Sequence, residues 1–349
     1  MNKTLRCLVA LLVIIGITLP PAASWAADGE FDIKGETLIS YKGDDAVVAI
    51  PEGVTAIGDG AFANCGTLTG ITLPGTLQAI GGFAFFQCSS LEGINFPQRL
   101  ASIGEGAFFG CKALKGAMLP ASLADLGAGA FYGCEALENV QIANGLANLG
   151  EGVFYGCKTL AAISLPDSIT GIGKGTFYNC VSLEHAELPG FLESIGEGAF
   201  TNCSALADID LPANLLTIGE GAFYGCSALS SVSIPARIDA ISNYAFAECF
   251  ALESVELPDT LGKIGDFAFT SCKSLTEFHG PQSLLNLGEG SFSGCTALRS
   301  VVLPQGLVSI GSGAFFDCVS LQPFQFPDSV IVAGEGIFGR SDDTPTETR

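Results

Sequence analysis

The chain has 349 residues, 48 % of them apolar and only 15 % charged, a balance that excludes global disorder. Its 36 acidic and 15 basic residues give a formal net charge of -21. Such a surface repels phosphate backbones and anionic lipid, so no nucleic-acid partner and no membrane insertion are expected. The 45 glycines keep no Gly-x-y period, which excludes collagen.

The segment 1–26 reads as a secretory signal peptide. Lys3 and Arg6 form a basic start, and Leu8 to Leu19 form a short apolar run. Pro20 and Pro21 end that run, and Ser24 and Ala26 supply small residues at the -3 and -1 cleavage positions. A membrane span needs roughly 18 or more apolar residues, which this run lacks. Cys7 precedes the apolar run, so it is no lipid acceptor at the cleavage site. Cleavage removes two cations, taking the charge from -21 to -23, and removes the single tryptophan, Trp25. A secreted or periplasmic location follows, with cell-surface association open.

Beyond the leader, cysteines stand at Cys65, Cys88, Cys111, Cys134, Cys157, Cys180, Cys203, Cys226, Cys249, Cys272, Cys295 and Cys318, all at one constant interval. A fixed period of about 23 residues marks a solenoid or a related array. Phe stands three before every one of these cysteines, and once more at Phe338; Leu stands three after each. Pro stands nine after, except at Ala143. In the unit from Cys65 to Gln87, the stretch Leu68 to Leu73 alternates at its end like a half-buried strand, with Ile71 and Leu73 inward. Pro74 has no N–H to donate and ends it. Leu77 and Ile80 anchor a second extended stretch. Gly81 and Gly82 are expected to supply the turn dihedrals, and Phe85 and Cys88 to close the coil on a short 3₁₀ or α turn. An acidic residue follows the turn glycine at Glu105, Glu151, Glu197, Glu220, Asp266 and Glu289, at the end of the turn where negative charge is favoured.

The pattern Leu-x-x-Ile-x-Leu-Pro-x-x-Leu-x-x-Ile-Gly-x-x-Ala-Phe-x-x-Cys resembles the BspA-type bacterial leucine-rich repeat. The leading segment from Leu38 to Gly43, with Ile50-Pro51 and Ile57 to Phe62, is similar to that family's N-terminal cap and first partial rung. The resemblance runs from about Leu38 to Phe338. It implies a β-rich solenoid: a leucine-rich-repeat right-handed superhelix with a parallel concave sheet and short 3₁₀/α turns, about 13 coils and roughly 60 Å long at the strand spacing. It also implies export and, in some members, adhesion to host matrix proteins or other cells. The division expected is signal peptide 1–26, N-terminal cap 27–45, solenoid 46–338 and polar tail 339–349.

Twelve cysteines in an exported chain invite a disulfide reading. Stacked rungs bring consecutive Cα atoms to about 4.8 Å, within bridging distance, but leave the Cβ vectors parallel. A buried column of free thiols acting as small hydrophobes is the expectation. A single Cys per rung also lacks the clustered pairs of a zinc site. Neither a metal nor any other cofactor is expected. Catalysis is not expected either, because His185 and His279 lie four rungs apart, about 19 Å, and cannot share one site.

The outward positions leave two candidate binding surfaces. On the sheet, His185 and Glu187 on one rung neighbour Asp208 and Asp210 on the next; crowded carboxylates favour a hard cation or a basic partner, or form a solvated acidic face. Glu256, Glu277 and His279 repeat that chemistry further on. On the turns, Phe86, Phe109, Tyr132, Tyr155 and Tyr178 each follow the core Phe on five consecutive rungs. They form either an exposed stripe for protein or sugar contact or lateral packing between rungs with only an edge exposed. The function expected is an exported adhesion or interaction scaffold for a protein or glycan partner, possible sources being host matrix or another cell surface. The alternative is a passive envelope or periplasmic structural protein.

Overall fold

The computed structural model describes residues 30–339. The expected signal peptide and residues 27–29 of the expected cap lie outside the described residues, as does all of the expected polar tail but Gly339. The described chain is a coil of about thirteen turns, counted by Phe62 and its eleven buried equivalents to Phe315, with Phe338 as the last. Every paired strand of the array meets its equivalent on the neighbouring rung, in parallel, as when Ala162, Ile163 and Ser164 align with His185, Ala186 and Glu187. Among the described residues no helix is long and apolar enough to cross a membrane.

Each turn has three sides. The Leu-x-x-Ile-x-Leu stretch forms the first ladder, seen in the three-stranded group Val47–Ala49, Gly70–Thr72 and Gly93–Ile94 and then in pairs of strands. Proline ends these strands, and the one rung without it tests the rule. Ala143 keeps an N–H, which donates to Leu119 O at 3.2 Å. There Gly116–Leu119 and Asn139–Ile142 pair over their whole length, one position further than Ala162–Ser164 and His185–Glu187 do.

The second extended stretch is itself a ladder, which the pattern of Leu77 and Ile80 does not reveal. Short strands such as Ala79–Ile80 and Ser102–Ile103 pair in parallel rung after rung. At the start, Phe31–Lys34 lies antiparallel on Thr37–Tyr41 and covers that ladder's leading edge. At the far end, Val332–Ala333 pairs on one side only, and Ile331 is 80 % exposed.

The third side holds no helix. Tyr132 N–H donates to Gly129 O and Cys134 N–H to Phe131 O, each closing a tight turn. The intervening Gly129, Phe131 and Gly133 N–H groups donate to Glu151, Val153 and Tyr155 carbonyls of the next rung. That alternation requires positive φ at two positions per turn, 58° at Gly129 and 68° at Gly133. The expected role of Gly81 and Gly82 is therefore corrected: in their rung the positive φ falls on Phe83, at 53°. The glycine after the core Ile serves close approach instead. A Cβ on Gly173 would stand 2.7 Å from Gly150 C and 2.9 Å from Glu151 N.

Inside, the twelve Phe rings from Phe62 to Phe315 stack with centroids 5.0–5.8 Å apart. The cysteines run beside them as free thiols. Each thiol from Cys88 to Cys318 donates to the carbonyl of a Phe on the preceding rung, as Cys157 does to Phe131 O at 3.4 Å. The thiol thus fills a small apolar gap and supplies a donor, which Ala would not. Burial pushes most of these thiols up, Cys111 and Cys180 to about 12, so they stay protonated and unreactive. Half-buried Cys65 is shifted the other way by the Cys88 thiol beside it.

Candidate functional site

The residue after the core Phe is half-buried on most turns and buried at Thr201 and Ala247. It is aromatic on five consecutive turns, at Phe86, Phe109, Tyr132, Tyr155 and Tyr178, and again at Tyr224 and Phe316, and all of these rings are half-buried. The consecutive five stack on one another rather than standing free. Phe86 and Phe109 tilt at 5.4 Å, and the next three pairs lie parallel at 4.5, 4.3 and 4.7 Å. Lateral packing is thus what the structure adopts, and it leaves ring edges rather than faces to the outside. Burial and the Tyr132 phenol beside it push the Tyr155 hydroxyl above its ordinary pKa.

The edges of Phe109, Tyr132, Tyr155 and Tyr178 form one wall of a groove of about 470 Å³ running along the coil axis. Its floor is Gly106, Gly129, Gly152, Gly175 and Gly198, the positive-φ glycines of five turns. A Cβ on Gly152 would reach the ring edge of Tyr132 at 3.9 Å and Tyr155 Cβ at 3.8 Å, so any side chain here would take up groove space. The opposite rim reads Glu105, Ala128, Glu151, Lys174 and Glu197. Phe83, 42 % exposed, closes one end, its ring over Gly106. At the other end the aromatic series gives way to Thr201, whose hydroxyl donates to Gly221 O at 2.8 Å.

The sheet cluster is looser. His185 Nδ1 stands 3.5 Å from Asp208 Oδ1, with both side chains more than two-thirds exposed. Glu187 accepts a hydrogen bond from Ser164 Oγ at 2.8 Å. Asp208 and Asp210 fall where the first ladder is interrupted, between His185–Glu187 and Ser231–Ser233. Pairing along the first ladder also breaks elsewhere, as between Asn139–Ile142 and Ala162–Ser164. Among the described residues no group of three or more His, Cys, Asp or Glu could hold a metal ion.

A larger depression, about 550 Å³, follows the second ladder past Ala79, Ser102 and Asp125. Its lining carboxylate Asp59 already accepts the Gly82 N–H at 2.7 Å. Sequence reasoning found the aromatic file but missed the groove that it borders. The signal was present in the glycine five positions before each Cys along the file and in the acid at every second rung of the rim. A second outer pair, Tyr244 and Phe267, was also missed; the rings stack at 5.2 Å on residues of positive φ.

The BspA type leucine rich repeat family model matches in six copies over residues 46–160, 124–250 and 217–344. A leucine-rich repeat protein from Bacteroides ovatus is 30 % identical, with a TM-score of 0.71 over 90 % of this chain and 91 % of its own. A leucine rich cell surface protein from Faecalibacterium prausnitzii is 23 % identical, with a TM-score of 0.50 over 92 % and 96 %. A leucine-rich repeat protein from Eubacterium ventriosum, 20 % identical over 90 % and 91 %, also has a TM-score of 0.50. The last two likenesses concern the fold alone. No curated protein matches the chain. The stacked turns, the matched repeats and the Bacteroides likeness agree: the chain belongs to the BspA-type leucine-rich repeat family.

Proposed function

We propose that this leucine-rich-repeat scaffold is exported, performs no catalysis, and holds a protein partner in the tyrosine-edged groove. The observation that carries the reading is the in-register file Tyr132, Tyr155 and Tyr178 beside a floor without side chains. The internal fold needs the buried Phe column but not aromatic residues outside it, since Thr201, Ala247 and Ser293 serve at the same turn position elsewhere. Sugars stack on exposed ring faces, and here neighbouring rings cover the faces, which favours a protein over a glycan. Export is supported by the leader-like residues 1–26, and a cell-surface relative is in keeping with it.

The test is capture from bacterial-surface and host-matrix extracts on the chain lacking residues 1–26, followed by affinity measurements on folded variants. Tyr132→Ser with Tyr155→Ser and Tyr178→Ser should weaken the captured partner tenfold or more, about 1.4 kcal/mol. Glu187→Asn with Asp208→Ser and Asp210→Asn should leave it within about twofold, or ~0.4 kcal/mol. The reverse result moves the site to the sheet. Full affinity in both variants removes the partner from both surfaces, and no saturable partner at all favours the passive structural role.

A further inference from the structure

The rim of the groove carries more information than its wall. Glu105, Glu151 and Glu197 project from every second turn, with Ala128 and Lys174 between them. All five positions face solvent, so interior packing does not impose the alternation. Elsewhere the same position is used internally: Asp266 Oδ1 accepts the Glu289 N–H at 2.8 Å. Along the groove the side chains are longer and line the opening instead. Lys174 Nζ already rests 2.8 Å from Glu197 Oε1. Among the described residues, Glu105 and Glu151 form no salt bridge.

Two turns measure about 9.6 Å at the parallel-strand spacing, and the outer rings, 4.3–4.7 Å apart, give a similar step. A β-strand places same-face side chains about 6.6 Å apart and then about 13 Å, so it misses this interval. A polyproline II helix has three residues per turn and a rise of about 3.1 Å, which returns every third side chain to one face after about 9.3 Å. Over the whole rim the two periods differ by less than about 1 Å. Such a helix also leaves its carbonyls unbonded, and the tyrosine hydroxyls run along the opposite wall as donors. The glycine floor lets the peptide backbone approach closely.

We propose that the groove takes a cationic peptide segment in the polyproline II conformation, with Lys or Arg at every third residue meeting Glu105 and Glu151. The proposal rests on the groove being the partner site and adds the partner's chemistry: backbone shape selects the conformation, and rim spacing selects the cation repeat. A ligand cation at either glutamate repeats the arrangement that Lys174 makes with Glu197.

The experiment is fluorescence anisotropy on the chain lacking residues 1–26, with three labelled peptides. One carries tandem Lys-Pro-Pro units, one Glu-Pro-Pro units, and one alternates Lys and Thr at equal charge. Lys-Pro-Pro should bind at least tenfold more tightly than both others and weaken as salt is raised. Glu105→Gln with Glu151→Gln should cost at least tenfold, and Ala128→Lys, which sets a cation between them, should do the same. Melting temperature and circular dichroism check that each variant folds. Equal binding of the Lys-Thr peptide, unchanged affinity in the Gln variant, or no binding of Lys-Pro-Pro overturns the proposal. If the tyrosine variant still loses a captured partner while Lys-Pro-Pro does not bind, the peptide class falls and the groove stands. If that variant keeps its partner, the groove reading itself falls.

Discussion

Replacing Phe177 by Ala removes a ring from the middle of the column, where it is fully buried and stacked on Phe154 at 5.6 Å and Phe200 at 5.2 Å. A buried phenyl ring removes about 150–250 Å² from water, and at about 25 cal/mol per Å² that is roughly 4–6 kcal/mol before relaxation. Measured Phe→Ala losses in cores run about 3–5 kcal/mol, so about 4 is expected here. The same change at Phe338 starts from a ring that is 49 % exposed and has Phe315 at 6.1 Å on the inner side. About half the loss, roughly 2 kcal/mol, is expected there. Because a repeat array can open in parts, urea unfolding should be paired with amide exchange. Phe177→Ala should accelerate exchange on turns flanking the site, and Phe338→Ala only at the last turns. Equal losses, or uniform acceleration along the chain, would refute nearest-neighbour stacking as the source of stability.

The thiol column predicts an alkaline limit. Burial raises the folded pKa of the thiols, to about 12 for Cys111 and Cys180, whereas unfolded thiols ionise near about 8.5. Their contribution is therefore complete below about pH 8.5 and lost as pH rises towards the folded values, at about 1.4 kcal/mol per pH unit for each thiol. The melting temperature should fall steeply between about pH 9 and 11, and a flat profile would contradict the buried column. A thiol reagent at neutral pH should label half-buried Cys65 first and the others only in denaturant. The two kinds of glycine should separate as well. Gly173→Ala forces a Cβ against the Gly150 and Glu151 backbone and should cost several kcal/mol, on the order of a severe core clash. Gly156→Asn should stay within about 1 kcal/mol, since Asn tolerates the left-handed region and Asn179 and Asn202 occupy the equivalent place at 58°. Comparable losses would mean that both glycines answer the same demand.

The architecture was legible because the interior repeats: Phe and Cys recur together in twelve rungs, and each must be small or large in the same place for the rungs to stack. The second ladder was not, since strands such as Ala79–Ile80 hold one inward and one outward residue and offer no alternation to read. Sequence does not distinguish a glycine of positive φ from one of close backbone approach, because both exclude a Cβ. The candidate surfaces were half legible. Adjacency to the core Phe placed Tyr132, Tyr155 and Tyr178 outside, but whether rings on neighbouring rungs stand apart or stack depends on the turn geometry. The repeat period brings the acidic sheet residues onto neighbouring rungs but does not show whether residues 208–210 form the strand that would present them.

The proposed function requires that a partner contact the groove and not the first ladder. A photo-crosslinking amino acid placed at Ala128, on the groove rim, and separately at Gln141, on an outward strand position, tests that claim directly. Both positions are exposed. With the captured partner bound, crosslinks from position 128 and none from 141 are the predicted result. Crosslinks from 141 with none from 128 would contradict it.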